Sequence, residues 1–360
     1  MIDFIDVVKS NEQDKEVIIE RIREVIDSGQ YVLGERLRIF EDLFSRYCGT
    51  KYAVGVNSGT DALFLCLHSL GRNKGEVATV SFTFPATVMS IMSAGFTPVF
   101  VDVDATGTMD PEDLSRKINK NTVAIIPVHF MGHVCAMDKI MDIANKNSIP
   151  VIEDACQAVG GRFGSKFAGS FGLAGCFSFF PTKNLSCIGD GGAITTNDEN
   201  LYNKLILLRN FGRADRESFN SFGVNTRLDE IQAVVLSEKI KRLDTWLSRR
   251  RFVADYYTKH LSPFFTVVRP PDGGDSAYHL FVIRVKNNEQ VVERLFREGV
   301  DCRIHYSKPC HKQNFVSSDV VLKCTDLLSK EVISLPVGEH MDDKSLDTVI
   351  EKVLEVVHAS

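Results

Sequence analysis

Between residues 52 and 152 the chain switches hydrophobic period repeatedly, and that switching limits what it can fold into. Short β-branched runs stand at 52–56, 77–80, 99–103, 123–128 and 151–152. Stretches of helical spacing at 60–70, 85–94, 111–118 and 137–145 lie between them. Strands alternating with helices predict a mainly parallel α/β sheet. Two helices are expected ahead of it, at 12–27 and 37–47, the first stopping at Ser28-Gly29. Two more strands, at 176–180 and 193–196, bracket a lysine loop. The glycine-rich stretch 160–172 lacks the strand-then-helix context of a dinucleotide site and reads as tight turns. A long helical pattern covers 228–260, and the domain boundary is placed inside it near Lys241. That divides the chain into a large α/β domain, 1–240, and a small C-terminal α+β domain, 241–360. In the small domain, strands are expected at 265–268, 279–285 and 302–304, and helices at 291–297 and 345–357.

Three stretches carry chemistry. In Cys176-Phe177-Ser178-Phe179-Phe180-Pro181-Thr182-Lys183 an apolar run is followed by a single lysine. An apolar setting disfavours the ammonium form, and a neutral lysine can form a Schiff base with a carbonyl. The same residue reads equally as a solvated loop lysine. In Val151-Ile152-Glu153-Asp154 a buried-strand pattern ends on two acids. Ligands of parallel sheets sit outside the carboxyl ends of strands, so Asp154 stands where a site should be. It could also be a helix cap. In Val56-Asn57-Ser58-Gly59-Thr60-Asp61 a strand turns into an apolar helix, whose free N–H groups and dipole suit a phosphate. Ser58 or Asp61 could equally be a plain cap. His129 and His133 stand four apart, but Gly132 interrupts them and no acid lies between. No metal site is expected there.

Hydrophobic content of 44% is ordinary for a soluble globular protein, and a net charge of −5 argues against a basic nucleic-acid face. Nine cysteines with no Cys-x-x-Cys read as reduced thiols of a cytoplasmic protein. The acidic start lacks the pattern of a secretory leader, and no apolar run reaches about 18 residues, so no membrane span is expected.

Taken together, these stretches resemble the DegT/DnrJ/StrS family of pyridoxal phosphate (PLP)-dependent sugar aminotransferases. The resemblance also rests on Gln30-Tyr31-Val32-Leu33-Gly34, Thr83-Phe84-Pro85-Ala86-Thr87, Glu153-Asp154-Ala155-Cys156-Gln157 and Gly223-Val224-Asn225-Thr226-Arg227-Leu228-Asp229-Glu230. It implies a fold-type-I PLP-dependent transferase: a large, mainly parallel mixed sheet with a small C-terminal domain. Lys183 would hold the cofactor and act as general base and acid. Asp154 would pair with the ring nitrogen. Phe84 would stack on the ring, although it reads equally as a core phenylalanine. Gln157 would bond near the phenolic oxygen. Gly59, Thr60 and Ser178 would bind the phosphate, completed by Asn225 from the other subunit of a homodimer with shared sites. Tyr31, Arg227, Tyr306 and His311 would face the substrate. That substrate would be a nucleotide-linked keto sugar, with L-glutamate as amino donor. Phe180-Pro181 departs from the histidine that many relatives carry there, which bears on how the sugar is held. The alternatives are a PLP-dependent sugar dehydratase and a non-catalytic pathway regulator. Lys183 argues against the branch that replaces the lysine with histidine.

Overall fold

The computed structural model describes every residue except Asn73, Ser317, Ala359 and Ser360, and not the side chain of His358. Three helices open the chain: α1 (Val7–Glu12), α2 (Lys15–Ser28) and α3 (Glu35–Cys48). The helix expected at 12–27 is α2, and α1 ahead of it was not anticipated. Asp6 caps α1, its carboxylate accepting from Lys9 N at 2.8 Å, a signal upstream of the hydrophobic pattern. Both α2 and α3 stop where a glycine takes left-handed backbone, Gly29 at φ 64° and Gly49 at φ 69°.

Alternation then follows: β1 (Tyr52–Val56), α4 (Gly59–Ser69), β2 (Glu76–Val80), α5 (Ala86–Ser93), β3 (Thr97–Val101), α6 (Pro111–Lys117), β4 (Thr122–Ile126), α7 (Met137–Lys146) and β5 (Ile152–Asp154). The glycine-rich stretch carries a small hairpin, β6 (Arg162–Phe163) and β7 (Lys166–Phe167). Next come β8 (Ala174–Ser178), β9 (Gly192–Thr196), α8 (Glu199–Leu208), α9 (Glu230–Lys239) and α10 (Leu243–Leu261). The remainder is β10 (Thr266–Val267), β11 (Gly274–Asp275), β12 (Phe281–Arg284), α11 (Asn288–Arg297), α12 (Lys323–Glu331), β13 (Val332–Leu335) and α13 (Asp343–His358).

Parallel bridges Ile125↔Val151 and Val128↔Asp154 join two ladders into one sheet of order β3-β2-β4-β5-β8-β9-β1. Only β9 runs against the others, antiparallel to both β8 and β1. The expected mainly parallel mixed sheet is observed. Its topology brings the carboxyl ends of β1, β5 and β8 to one edge. Behind that edge Phe40 and Phe44 of α3 meet Phe177 and Phe179 edge-on, with centroids 5.0–5.5 Å apart. Such pairs add about 0.5–1.5 kcal/mol each beyond area burial. They fix the end of β8, from which the lysine loop departs.

The expected strand at 302–304 does not form: Arg303 makes only an isolated bridge with Ser334. The strand expected from His279 starts at Phe281, because Tyr278 takes left-handed backbone at φ 41°. β12 pairs instead with β10 and with β13, a strand not anticipated. Along α10, Leu243, Trp246 and Leu247 join the main core, whereas Val253, Tyr257 and Leu261 pack with β12, β13 and α13.

Candidate active site

The edge of the sheet assembles the site. Ile152 is fully buried, which drives β5 inward and leaves Asp154 at its end, itself 5% exposed. The Asp154 carboxylate accepts from Thr87 Oγ1 at 2.8 Å and from Cys156 N at 3.2 Å. Both bonds fix its orientation. The neighbouring acid faces the other way. Glu153 and His129 are fully buried and bonded at 2.9 Å. Glu153 also accepts from the N–H groups of Gly169, Phe171 and Gly172 at 2.7–2.9 Å. His129 Nδ1 accepts from Cys135 N, so its proton sits on Nε2 and points at Glu153. His133 turns elsewhere, toward Thr106 O and the ring of Tyr278. Among the described residues no group of His, Cys, Asp and Glu could hold a metal ion.

At the end of β1, Ser58 caps α4 by accepting from Asp61 N at 3.1 Å. That leaves the first N–H groups of the helix without intrahelical partners. Gly59 is required there: a Cβ would lie 2.5 Å from Cys156 Sγ and 2.9 Å from Ser178 Cβ. Gly59, Thr60 and Ser178 thus converge beside Cys156 and Asp154. A helix N-terminus of this kind attracts anions.

The lysine loop leaves β8 at Phe179, held by Phe179 N to Gly191 O at 2.8 Å and Cys187 N to Phe179 O at 2.7 Å. It closes a turn with Lys183 N donating to Phe180 O at 2.8 Å. The Lys183 amine forms no hydrogen bond or ion pair among the described residues. Burial lowers its affinity for a proton, against the opposing pull of Cys156 and Asp154. A buried amine with few partners is the form in which lysine acts as base or nucleophile.

Phe84 is 57% exposed, so it is not a core phenylalanine; its ring lies 6.1 Å from that of Tyr306. Gln157 accepts from Met131 N at 2.9 Å and reaches the Tyr306 hydroxyl at 3.5 Å. Tyr306 stacks on Phe130, and burial raises its phenol above the ordinary value. His311 is not brought to this group. It is buried behind the Ser81–Phe84 turn, with Nδ1 2.6 Å from Ser81 Oγ and Nε2 3.3 Å from Asp326.

A further set lies along the segment before α9. Asn225 is exposed and bridges Asn210 through its backbone. Thr226 Oγ1 bonds Asn57 at 2.7 Å, which docks this segment beside the α4 cap. Arg227 donates to Asn210 Oδ1 at 3.0 Å and lies over Phe211. Tyr31 O accepts from Glu230 N at 3.0 Å, and the buried Glu230 carboxylate accepts from Gly34, Arg36 and Leu37 at the start of α3. Tyr31 and Arg227 therefore ride on bolted neighbouring segments.

Sequence reasoning gave no role to Thr87, Glu230, Lys239 or Arg250. Their shared signal is a polar or charged residue at an apolar-face position of a helix.

Across 98% of this chain and 99% of the relative, the sequence is 40% identical to a dTDP-3-amino-3,6-dideoxy-alpha-D-galactopyranose transaminase of Aneurinibacillus thermoaerophilus. The fold superposes with a TM-score of 0.95 on the crystal structure of S. venezuelae DesV in complex with ketimine intermediate, at 35% identity and 98% coverage of both chains. NtdA from Bacillus subtilis with bound cofactor PMP matches with a TM-score of 0.91 at 28% identity, over 99% of this chain and 85% of that one. Residues 12–354 match one family throughout. The chain belongs to the DegT/DnrJ/EryC1/StrS aminotransferase family.

Proposed function

We propose that Lys183 is the residue through which this chain works. The protein is a PLP-dependent aminotransferase that moves an amino group to a keto group of a nucleotide-linked sugar. The observation that carries the lysine assignment is its unpartnered amine at the edge where Asp154, Ser178 and the start of α4 meet.

The residues present fit the cofactor. A cradle without room for a Cβ at Gly59 leaves helix N–H groups open to a phosphate. Asp154 is a fixed carboxylate, and Phe84 offers an exposed ring. Pyridoxal phosphate supplies an aldehyde that condenses with amines and a ring that takes up an electron pair. Gly59, Thr60 and Ser178 would hold its phosphate, joined by the partner subunit's Asn225. Asp154 would hold the ring nitrogen protonated, Phe84 would cover one face, and Gln157 would meet the phenolic oxygen. Lys183 Nζ, once free, takes a proton from the substrate and hands one back, a task eased by burial that favours the neutral amine.

Arg227 suits the diphosphate, because a planar guanidinium binds phosphate oxygens in pairs. Tyr31 and Tyr306 would contact the remainder of the substrate. His311 would act at one remove, anchoring the loop that carries Tyr306. The amino donor is L-glutamate, the working unit is a homodimer with two shared sites, and the compartment is the cytoplasm. The nine cysteines, all unpaired, support that compartment. The domain boundary is drawn near Lys241, ahead of α10, whose first turns still pack on the main core.

Incubating the cofactor-loaded enzyme with glutamate and a panel of dTDP-, UDP- and GDP-linked keto sugars tests the reading. At least one sugar should be aminated at the expense of glutamate. Consumption of no sugar in the panel by an enzyme with its cofactor spectrum intact would contradict it.

A further inference from the structure

Against the lysine loop lies a small polar cavity of about 10 Å³. Its walls include Lys183, Asn184 and Ser186 of the loop, Lys239 of α9, Arg250 of α10 facing Glu339, and Ser10 of the N-terminal segment. Two buried atoms on these walls find no partner among the described residues, Asn184 Oδ1 and Arg250 Nε. One is an acceptor and the other a donor. The rest of each side chain is committed. Asn184 Nδ2 donates to Ala277 O at 2.8 Å, and Arg250 donates to Tyr278 O, Val337 O and Glu339 at 3.0–3.2 Å. Lys239, 2% exposed, donates to Ser186 O at 2.9 Å and Ser186 Oγ at 3.0 Å. An ammonium has three donors, so one remains.

A volume of about 10–15 Å³ with two to four polar partners is what one buried water needs. Unpaired buried polar atoms cost about 1–3 kcal/mol each, so a complementary pair beside such a volume calls for a bridge. We propose that one ordered water joins Asn184 Oδ1 to Arg250 Nε, and that Lys239 and Arg250 are positioning residues that hold the Lys183 loop. The water donates to Asn184 and accepts from Arg250, with the third proton of Lys239 available to it. Lys239 grips the loop directly through Ser186. Two cations from consecutive helices thereby fix the residue that follows Lys183 and the residue three beyond it. Burial depresses the Lys239 ammonium, and the nearby Cys187, Asp14 and Glu339 oppose that loss of charge.

The inference rests on Lys183 being the cofactor lysine, and the test separates the two. Crystals of the holoenzyme at high resolution should show a single density peak within about 2.7–3.2 Å of both Asn184 Oδ1 and Arg250 Nε. A dry cavity, or either atom bonded to protein, overturns the water. Lys239→Met holoenzyme should lose pyridoxal phosphate about tenfold faster than wild type and show a weaker visible circular dichroism band, since one charged hydrogen bond is worth about that factor. Lys239→Gln keeps a donor and should restore most of both signals; it also serves if Lys239→Met does not fold. A lower melting temperature with cofactor loss and dichroism unchanged in both variants overturns the positioning role. Borohydride labelling of a lysine other than 183 would remove the cofactor reading while leaving the density test standing.

Discussion

The acids at the end of β5 are held by bonds within the protomer, whereas the segment around Arg227 is flanked by exposed side chains. On the first side Thr87 and Cys156 hold Asp154, and the Glu153–His129 pair locks the strand end beneath it. On the second side Phe211, Phe219 and Phe222 are exposed, and among the described residues Asn225 makes only a backbone bridge and the buried Arg227 Nε has no partner. A binding site for one fixed group gains from rigidity, because preorganised polar groups need no rearrangement when charge develops. A site open on one side is what a shared two-fold interface would complete. The Asp154 side is thus closed within the protomer, whereas the segment carrying Asn225 and Arg227 is left open in it.

The sharpest test of that contrast mixes two inactive parents. Lys183→Ala should lose turnover entirely, and Asn225→Ala should be severely impaired. In a heterodimer one site carries both defects and the other neither, so about half of its sites should recover. No recovery after proven subunit exchange would place Asn225 in its own protomer's site and break the comparison. Asp154→Asn keeps the shape of the rigid side and removes its charge. Steady-state turnover should fall by about 10²–10³-fold, the usual cost of a lost electrostatic partner; near-normal turnover would mean that another group serves the ring.

A third prediction follows from buried histidines. Burial depresses His133 and His305 to about 4 from 6.5. Both are neutral in the fold and would be protonated in the unfolded chain below pH 6.5, so the unfolded state binds more protons in that range. The stability they contribute is complete above pH 6.5 and is lost as pH falls toward 4. At pH 5 the loss should be about 2 kcal/mol for each, measurable as a lower urea midpoint than at pH 7.5. Equal midpoints would show that these rings charge freely in the fold. The smallest effect is expected from Thr87→Val, which removes one bond to Asp154 without changing volume. Turnover should drop about tenfold with folding intact. An unchanged rate would leave Cys156 N as a sufficient anchor.

Much of the rigid side is legible in the sequence because it depends on local pattern. Alternating periods announce β1 to β5, and Asp154 and Lys183 each follow an apolar strand. Gly59 follows from the close approach of Cys156 and Ser178, which one-dimensional reading can only infer from the turn. What escapes is long-range. The reversed direction of β9, the missing strand near Arg303 and the pairing of β13 depend on partners far away in sequence. His311 looks like a cleft residue beside Pro309, and only the fold shows its ring engaged by Ser81 and Asp326. Helix α8 had a readable start: Asp198 accepts from Leu201 N at 2.9 Å, a cap of ordinary type. Lys239 and Arg250 break the apolar pattern of their helices, and their meaning appears only with the cavity between them.

The central claim is that Lys183 carries the cofactor. Borohydride reduction of the loaded enzyme, followed by proteolysis and mass mapping, tests it most directly. One modified peptide, containing Lys183, is expected in stoichiometric amount. Stable modification of any other lysine, with Lys183 unlabelled, would contradict it.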